Sequence, residues 1–192
     1  MDREKIEKVI KRRQLEDDFN AEFAYTLNER ITRYLEIDSI KILAYTHFSS
    51  ISSECTRLYR DGYFFACISL CQSVAEALVR HICERSKFGS AISKDFEDNI
   101  KLLRKRRIKP DCYELWQEIW KRRQDFHHLN ANVPADRAQL QEMAKEKLSA
   151  LADAESQVFA HDIIDGKLKP KYPKYWSTPK NGMLETFLRL DP

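Results

Sequence analysis

The first 61 residues contain neither glycine nor proline, and the whole 192-residue chain carries only four glycines and six prolines. Sandwiches and barrels turn every few residues, and glycine and proline supply the backbone geometries such turns demand. A chain this poor in both must be built from few, long elements, which points to helices. Hydrophobic residues make up 43% and charged residues 33%. That is enough apolar side chain for a core and too much for a disordered chain. The length suits one good-sized domain, or one domain with extensions.

Apolar spacing places the helices. Ile6, Val9, Ile10, Phe19, Phe23, Leu27 and Ile31 recur through the charge-rich residues 2–35 and predict one or two amphipathic helices. Asp38-Ser39 is a candidate N-cap for a helix reaching about Arg60. Asp61-Gly62 marks a turn. The next helix, about 63–86, is the most apolar, with Phe64, Ile68, Cys71, Val74 and Leu78 in a stripe wide enough for a central helix. A shorter helix, about 92–107, ends in a basic run, and Pro110-Asp111 restarts the chain into a helix of about 111–127. After a loop at 129–133, Pro134-Ala135-Asp136 opens a last long helix to about 163. From Gly166 onward, Pro170, Pro173 and Pro179 exclude a helix. The expected organisation is all-α: an N-terminal helical extension over 1–37, a helical domain over 38–163, and an irregular basic, aromatic tail over 164–192.

Several function classes lose ground on composition. A net charge of +3 is too mild to indicate nucleic-acid binding by itself. The five cysteines are odd in number and form no CxxC pair. They read as small buried hydrophobes in a reducing compartment rather than as zinc ligands or disulfides. Met1 to Lys5 lacks the apolar stretch of a secretion signal, and no run of 18 apolar residues occurs. The expectation is a cytoplasmic chain with no membrane span, no metal and no cofactor.

The stretch Arg122-Arg123-Gln124-Asp125-Phe126-His127-His128 combines the residue types that phosphoryl transfer needs. Imidazole exchanges a proton near neutral pH. Guanidinium keeps its charge and presents a planar fork to phosphate oxygens. The arginines precede the histidines by five residues, pairing Arg122 with His127 and Arg123 with His128. In a straight helix that offset sets side chains about 140° apart. They converge if the helix ends near Phe126, as Leu129 to Pro134 suggests, or if a second chain completes the site.

This arrangement resembles the HEPN domain family, whose signature is an arginine, a polar residue directly after it and a histidine, with four to six residues between the arginine and the histidine. Arg123-Gln124-Asp125-Phe126-His127-His128 fits it best, with Gln124 at the polar position where the family has Asn or Asp, and Arg122–His127 is the alternate register. Glu76 and Arg80 match an acidic–basic pair often found on the family's preceding long helix. Glu76 lies within the most apolar helix, where a carboxylate is expected to be buried and to need a cationic partner. The resemblance covers about residues 38–162. It implies a HEPN-like helical bundle, a homodimer with the motifs meeting in a composite site, and metal-independent cleavage of RNA by 2′-OH attack. It also implies a toxin or prokaryotic defence effector, with an antitoxin or other protein as a further partner. In that reading Arg123 stabilises the transition state and His128 is the acid/base. Arg122 and His127 support them or substitute for them, and Glu76, Arg80, Gln124 and Asp125 orient the site. The alternative is a non-catalytic HEPN module that binds a nucleotide, RNA or a partner protein.

Two further stretches suggest RNA contacts. Residues 101–109 hold six basic residues and no acid, among them Arg104, Lys105, Arg106 and Arg107. This suits either a helix C-terminus or a phosphate-contacting patch. In the tail, Lys171 lies among Tyr172, Tyr175 and Trp176, aromatics that could stack on bases. His47 and His81 read as structural histidines within helices, and His161-Asp162 as a local pair.

Overall fold

A computed structural model describes residues 3–128, 130–134, 136–177 and 183–189. It is mostly helical, with only small strands. The order is α1 (Arg3–Leu35), β1 (Ile42–Ala44), α2 (Ser49–Arg60), α3 (Phe64–Arg85), α4 (Phe96–Lys105), α5 (Tyr113–Trp120), α6 (Arg123–His127), α7 (Arg137–Val158), β2 (His161–Ile164), β3 (Lys167–Pro170) and β4 (Thr186–Leu188), with single 3-10 turns at Gly89–Ala91 and Pro173–Tyr175.

The wide apolar stripe of α3 explains its place. Cys67, Ile68, Cys71, Leu78 and Val79 on it are fully buried, and α2, α4, α5, α6 and α7 all pack around it. α3 is long and apolar enough to cross a membrane, but its apolar residues are spent on this helical core. All five cysteines are buried thiols. Burial pushes Cys83 up to about 11 and Cys112 to about 12, so both stay protonated and unreactive. The turn between α2 and α3 needs its glycine: Gly62 has φ +83°, and a Cβ there would lie 2.5 Å from the Arg137 guanidinium.

The structure revises several element boundaries. Residues 3–35 form one continuous helix. The helix expected from Asp38 does not begin until Ser49, because Ile42–Ala44 pairs antiparallel with β4, Leu43 opposite Phe187. His47 therefore lies in a loop, edge-on to Phe48. α4 starts at Phe96, where the Asp95 carboxylate accepts the backbone N–H groups of Glu97 and Asp98. The last helix, capped by Asp136, stops at Val158 rather than near 163. Residues beyond it make the hairpin β2–β3, closed by Asp165 (φ +52°) and Gly166 (φ +71°). Two adjacent left-handed residues suit the twist of a two-residue hairpin. His161 bonds to the Phe159 carbonyl rather than to Asp162.

The tail is less separate than its composition suggests. Tyr175 and Trp176 are 0% and 1% exposed. The Tyr175 hydroxyl donates to Lys109 O at 2.7 Å, and its own carbonyl accepts from His81 Nε2 at 2.9 Å. Arg189, just past β4, enters the core, donating to the Glu155 carboxylate at 2.6 Å, to Ser52 and to Ile40 O. Pro179 and Lys180 lie outside the described residues.

Candidate functional site

The helix expected over 111–127 is two helices, and the break between them builds the site. α5 ends at Trp120, and Arg122 takes the left-handed conformation, φ +59° and ψ +25°, before α6 begins. An arginine in that region is uncommon and needs support from its surroundings. That support is Lys147 of α7, 2% exposed, whose ammonium donates to the carbonyls of Glu118, Ile119 and Lys121 at 3.0, 3.1 and 2.8 Å. Gln72 of α3, fully buried, donates to two of the same carbonyls, Ile119 and Lys121, at 3.2 and 3.5 Å. Three N–H bonds meet three carbonyls, so α5 ends in a cation, as the partial negative charge of a helix C-terminus favours. Burial lowers the Lys147 ammonium to about 8, still protonated at neutral pH. Phe126, 2% exposed, then pins α6 to α3 by packing on Phe65, ring centres 5.6 Å apart.

The two arginines take different work. Arg122 is a structural brace: Nε donates to Asp125 at 2.9 Å and Nη2 to Asn132 O at 2.5 Å, fastening the loop after α6. Asp125, expected to orient the site, is that brace's acceptor. Arg123 lies on Trp120, its guanidinium carbon 4.7 Å from the ring centre, and Trp120 stacks in turn on Phe96 at 3.9 Å. Its Nε is buried without a hydrogen-bond partner, and no carboxylate among the described residues pairs with it. Arg123 and Gln124 line an open cavity of about 650 Å³ between α4 and α5, which Lys101, Tyr113 and Trp120 also border. The acids on its wall are already matched: Glu97 to Lys101, Glu114 to Arg104, Glu118 to Lys121.

The break also changes which histidine accompanies Arg123. Within α6, His127 follows Arg123 by four residues, so the two lie about 40° apart on one face. Burial first, then the positive charges of Arg123 and His128, lower the His127 imidazole below its ordinary value, while Glu76 on α3 opposes them. His127 is thus largely neutral at pH 7. His128 caps the end of α6 and is exposed; its ring has no hydrogen bond among the described residues.

Glu76 is not buried, contrary to its apolar sequence setting. It sits on the outer side of α3, its side chain 36% exposed and 4.0 Å from Arg80, and from there its charge acts on His127. Tyr175 and Trp176 cannot stack on bases, because they belong to the core. Tyr172 is half-buried and Lys171 exposed. Arg104 lies over the Tyr113 ring at 4.3 Å, while Lys105, Arg106 and Arg107 project to solvent with no carboxylate partner among the described residues.

Sequence reasoning missed Lys147, Gln72 and Trp120. The signal for the first two was present: Lys147 interrupts the inner face of α7 between Ala144 and Leu151, and Gln72 sits beside Cys71 in the most apolar helix. A polar residue inside an apolar face needs a partner. Compared with family models, curated proteins and solved structures, the chain finds no match.

Proposed function

We propose that this chain is a HEPN-like helical domain that cleaves RNA without a metal, at a site built from Arg123, His127 and His128 with Glu76 beside them. The observation that carries the reading is Arg123. Its guanidinium is held on Trp120, without an acid partner among the described residues, on the same face of α6 as a histidine that burial and the Arg123 charge hold below its ordinary value. An unmatched, oriented cation next to a neutral base suits a phosphodiester.

The chemistry balances within these groups. Neutral His127 takes the proton of a ribose 2′-OH as the 2′-oxygen attacks the adjacent phosphorus. The bond from phosphorus to the 5′-oxygen breaks, and that oxygen receives a proton from a protonated imidazole, His128 of the same chain or a histidine of a second copy. Arg123 holds the charge that grows on the phosphoryl oxygens. The products are a 2′,3′-cyclic phosphate and a 5′-hydroxyl. A homodimer with apposed α6 helices would bring two such sets together, and a toxin or defence role would follow from unregulated cleavage. Exposed Lys105, Arg106 and Arg107 support a second reading, RNA binding without turnover.

Incubation of purified protein with single-stranded RNA in EDTA separates the two. Cleavage by wild type, lost in Arg123→Ala and His127→Ala and retained in Lys5→Ala, supports the site. Binding with no cleavage by any form supports the second reading. Equal cleavage by all forms removes these residues from the chemistry.

A further inference from the structure

α1 is a 33-residue helix, and among the described residues its last turns pack on α2. There Arg33 donates to Arg60 O at 2.8 Å and Arg30 pairs with Asp61 at 2.7 Å. From Glu4 to Tyr25 every residue is exposed. Ile6, Val9, Ile10, Phe19 and Phe23 are between 38% and 68% exposed. At about half of roughly 200 Å² each, they leave on the order of 500 Å² of side chain uncovered, against the roughly 800 Å² that one partner brings to a standard interface. Scattered exposed apolar residues need no explanation, but a stripe of this size does.

The stripe has a register. Ile6 and Leu27, Val9 and Phe23, and Ile10 and Ile31 are each separated by a multiple of seven, so they lie on one seam of a heptad repeat. Between the two apolar ends, the same seam carries Arg13, Glu16, Asp17 and Asn20. Charge is also sorted along the helix. Residues 3–13 hold six bases against Glu4 and Glu7, whereas residues 14–29 hold Glu16, Asp17, Asp18, Glu22 and Glu29 and no base. Two identical helices laid parallel would set Arg13 on Arg13 and Glu16 on Glu16. Laid antiparallel, they set Ile6 opposite Phe23, Arg13 opposite Glu16, and each basic third over the other's acidic middle. The in-helix pair of Arg12 with Glu16, 2.9 Å, is 82% and 58% exposed and holds little against such a partner.

We infer that α1 pairs antiparallel with α1 of a second copy, forming a two-stranded coiled coil with Ile6–Phe23 layers on either side of two Arg13–Glu16 contacts. The helix is about 50 Å long at 1.5 Å per residue, so the two helical bodies sit towards opposite ends of a rod. This contact holds the two bodies apart, so any meeting of α6 helices would be made with a further copy, and it does not depend on RNA cleavage.

Charge exchange in the full-length chain tests it, with mass read by light scattering after gel filtration and folding checked by circular dichroism. Arg13→Glu alone and Glu16→Arg alone each set like charges together and should halve the mass. Mixing the two variants makes both contacts complementary again and should restore it as a heterodimer. Phe23→Glu should halve the mass in every mixture. For orientation, a chain carrying Ile6→Cys and Phe23→Cys should form an interchain disulfide under mild oxidation, and Ile6→Cys alone should not. A monomeric wild type at tens of micromolar, unchanged mass in the single variants, or cross-linking through Ile6→Cys alone would overturn the pairing.

Discussion

Lys147→Met is the sharpest perturbation of the framework that builds the site. The side chains are similar in length, and methionine removes the charge and all three donors. Glu118 O then loses its one side-chain donor, while Ile119 O and Lys121 O keep only Gln72, at 3.2 and 3.5 Å. A buried carbonyl left without a partner costs about 1–3 kcal/mol. One full loss and two partial ones come to about 4 kcal/mol, and release from burying an ammonium returns about 1 kcal/mol of that. A net loss of about 3 kcal/mol lowers the Tm of a chain this size by about 6–12 °C. Thermal and urea melts followed by circular dichroism measure it. With the α5 end unsupported, Arg122 also relaxes from its left-handed conformation and α6 rotates, so RNA cleavage should fall further than the unfolded fraction explains. Gln72→Leu shares two of the same carbonyls, so its cost and that of Lys147→Met should be non-additive in the double variant. A Lys147→Met protein as stable as wild type would refute the view that this lysine holds the α5–α6 break.

Three other outcomes follow from the same reasoning. Arg189→Met leaves the Glu155 carboxylate buried with Ser52 alone and should cost about 3–5 kcal/mol, read from urea melts; a change below about 1 kcal/mol would mean the tail is not anchored by this pair. Burial holds the His81 imidazole below its ordinary value while its Nε2–H donates to Tyr175 O. The folded state therefore favours neutral His81, and its contribution is intact above about pH 6.5 and lost as pH falls below it; the Tm of wild type should drop from about pH 7.5 to about pH 5 more steeply than that of His81→Gln, which keeps a donor without titrating. Arg106→Glu with Arg107→Glu should weaken single-stranded RNA binding and reduce the salt slope by about 1.4, at roughly 0.7 for each phosphate no longer neutralised; an unchanged slope in fluorescence anisotropy would exclude this surface.

Local pattern was enough where an element's partners follow from its own faces. The scarcity of glycine and proline, the broad stripe of α3 and the Asp136 cap located most helices to within a few residues. It failed where distant segments compete. Ile42–Ala44 reads as part of a helix until residues 186–188 arrive to pair with it, more than 140 positions later. Tyr175 and Trp176 read as exposed because they sit among lysines, yet His81 and Lys109 draw the chain inward at that point. The Arg-His stretch was legible in the sequence, but its local geometry was not. The spacing favours Arg123 with His128, and the α5–α6 break, made by a lysine 24 positions beyond Arg123, sets Arg123 with His127 on one face. Asp165-Gly166 carried a hairpin signal that the proline-rich surroundings obscured.

If Arg123 and a neutral His127 act on a ribose 2′-OH beside a phosphodiester, cleavage needs that hydroxyl and that histidine. Single-turnover cleavage in EDTA, with an oligoribonucleotide and with the same strand carrying one 2′-deoxy residue at the cut position, tests it most directly. The all-ribose strand should end in a 2′,3′-cyclic phosphate, the deoxy position should not be cut, and His127→Ala should lose the product. Cleavage at the deoxy position, or an undiminished cyclic phosphate yield from His127→Ala, would contradict it.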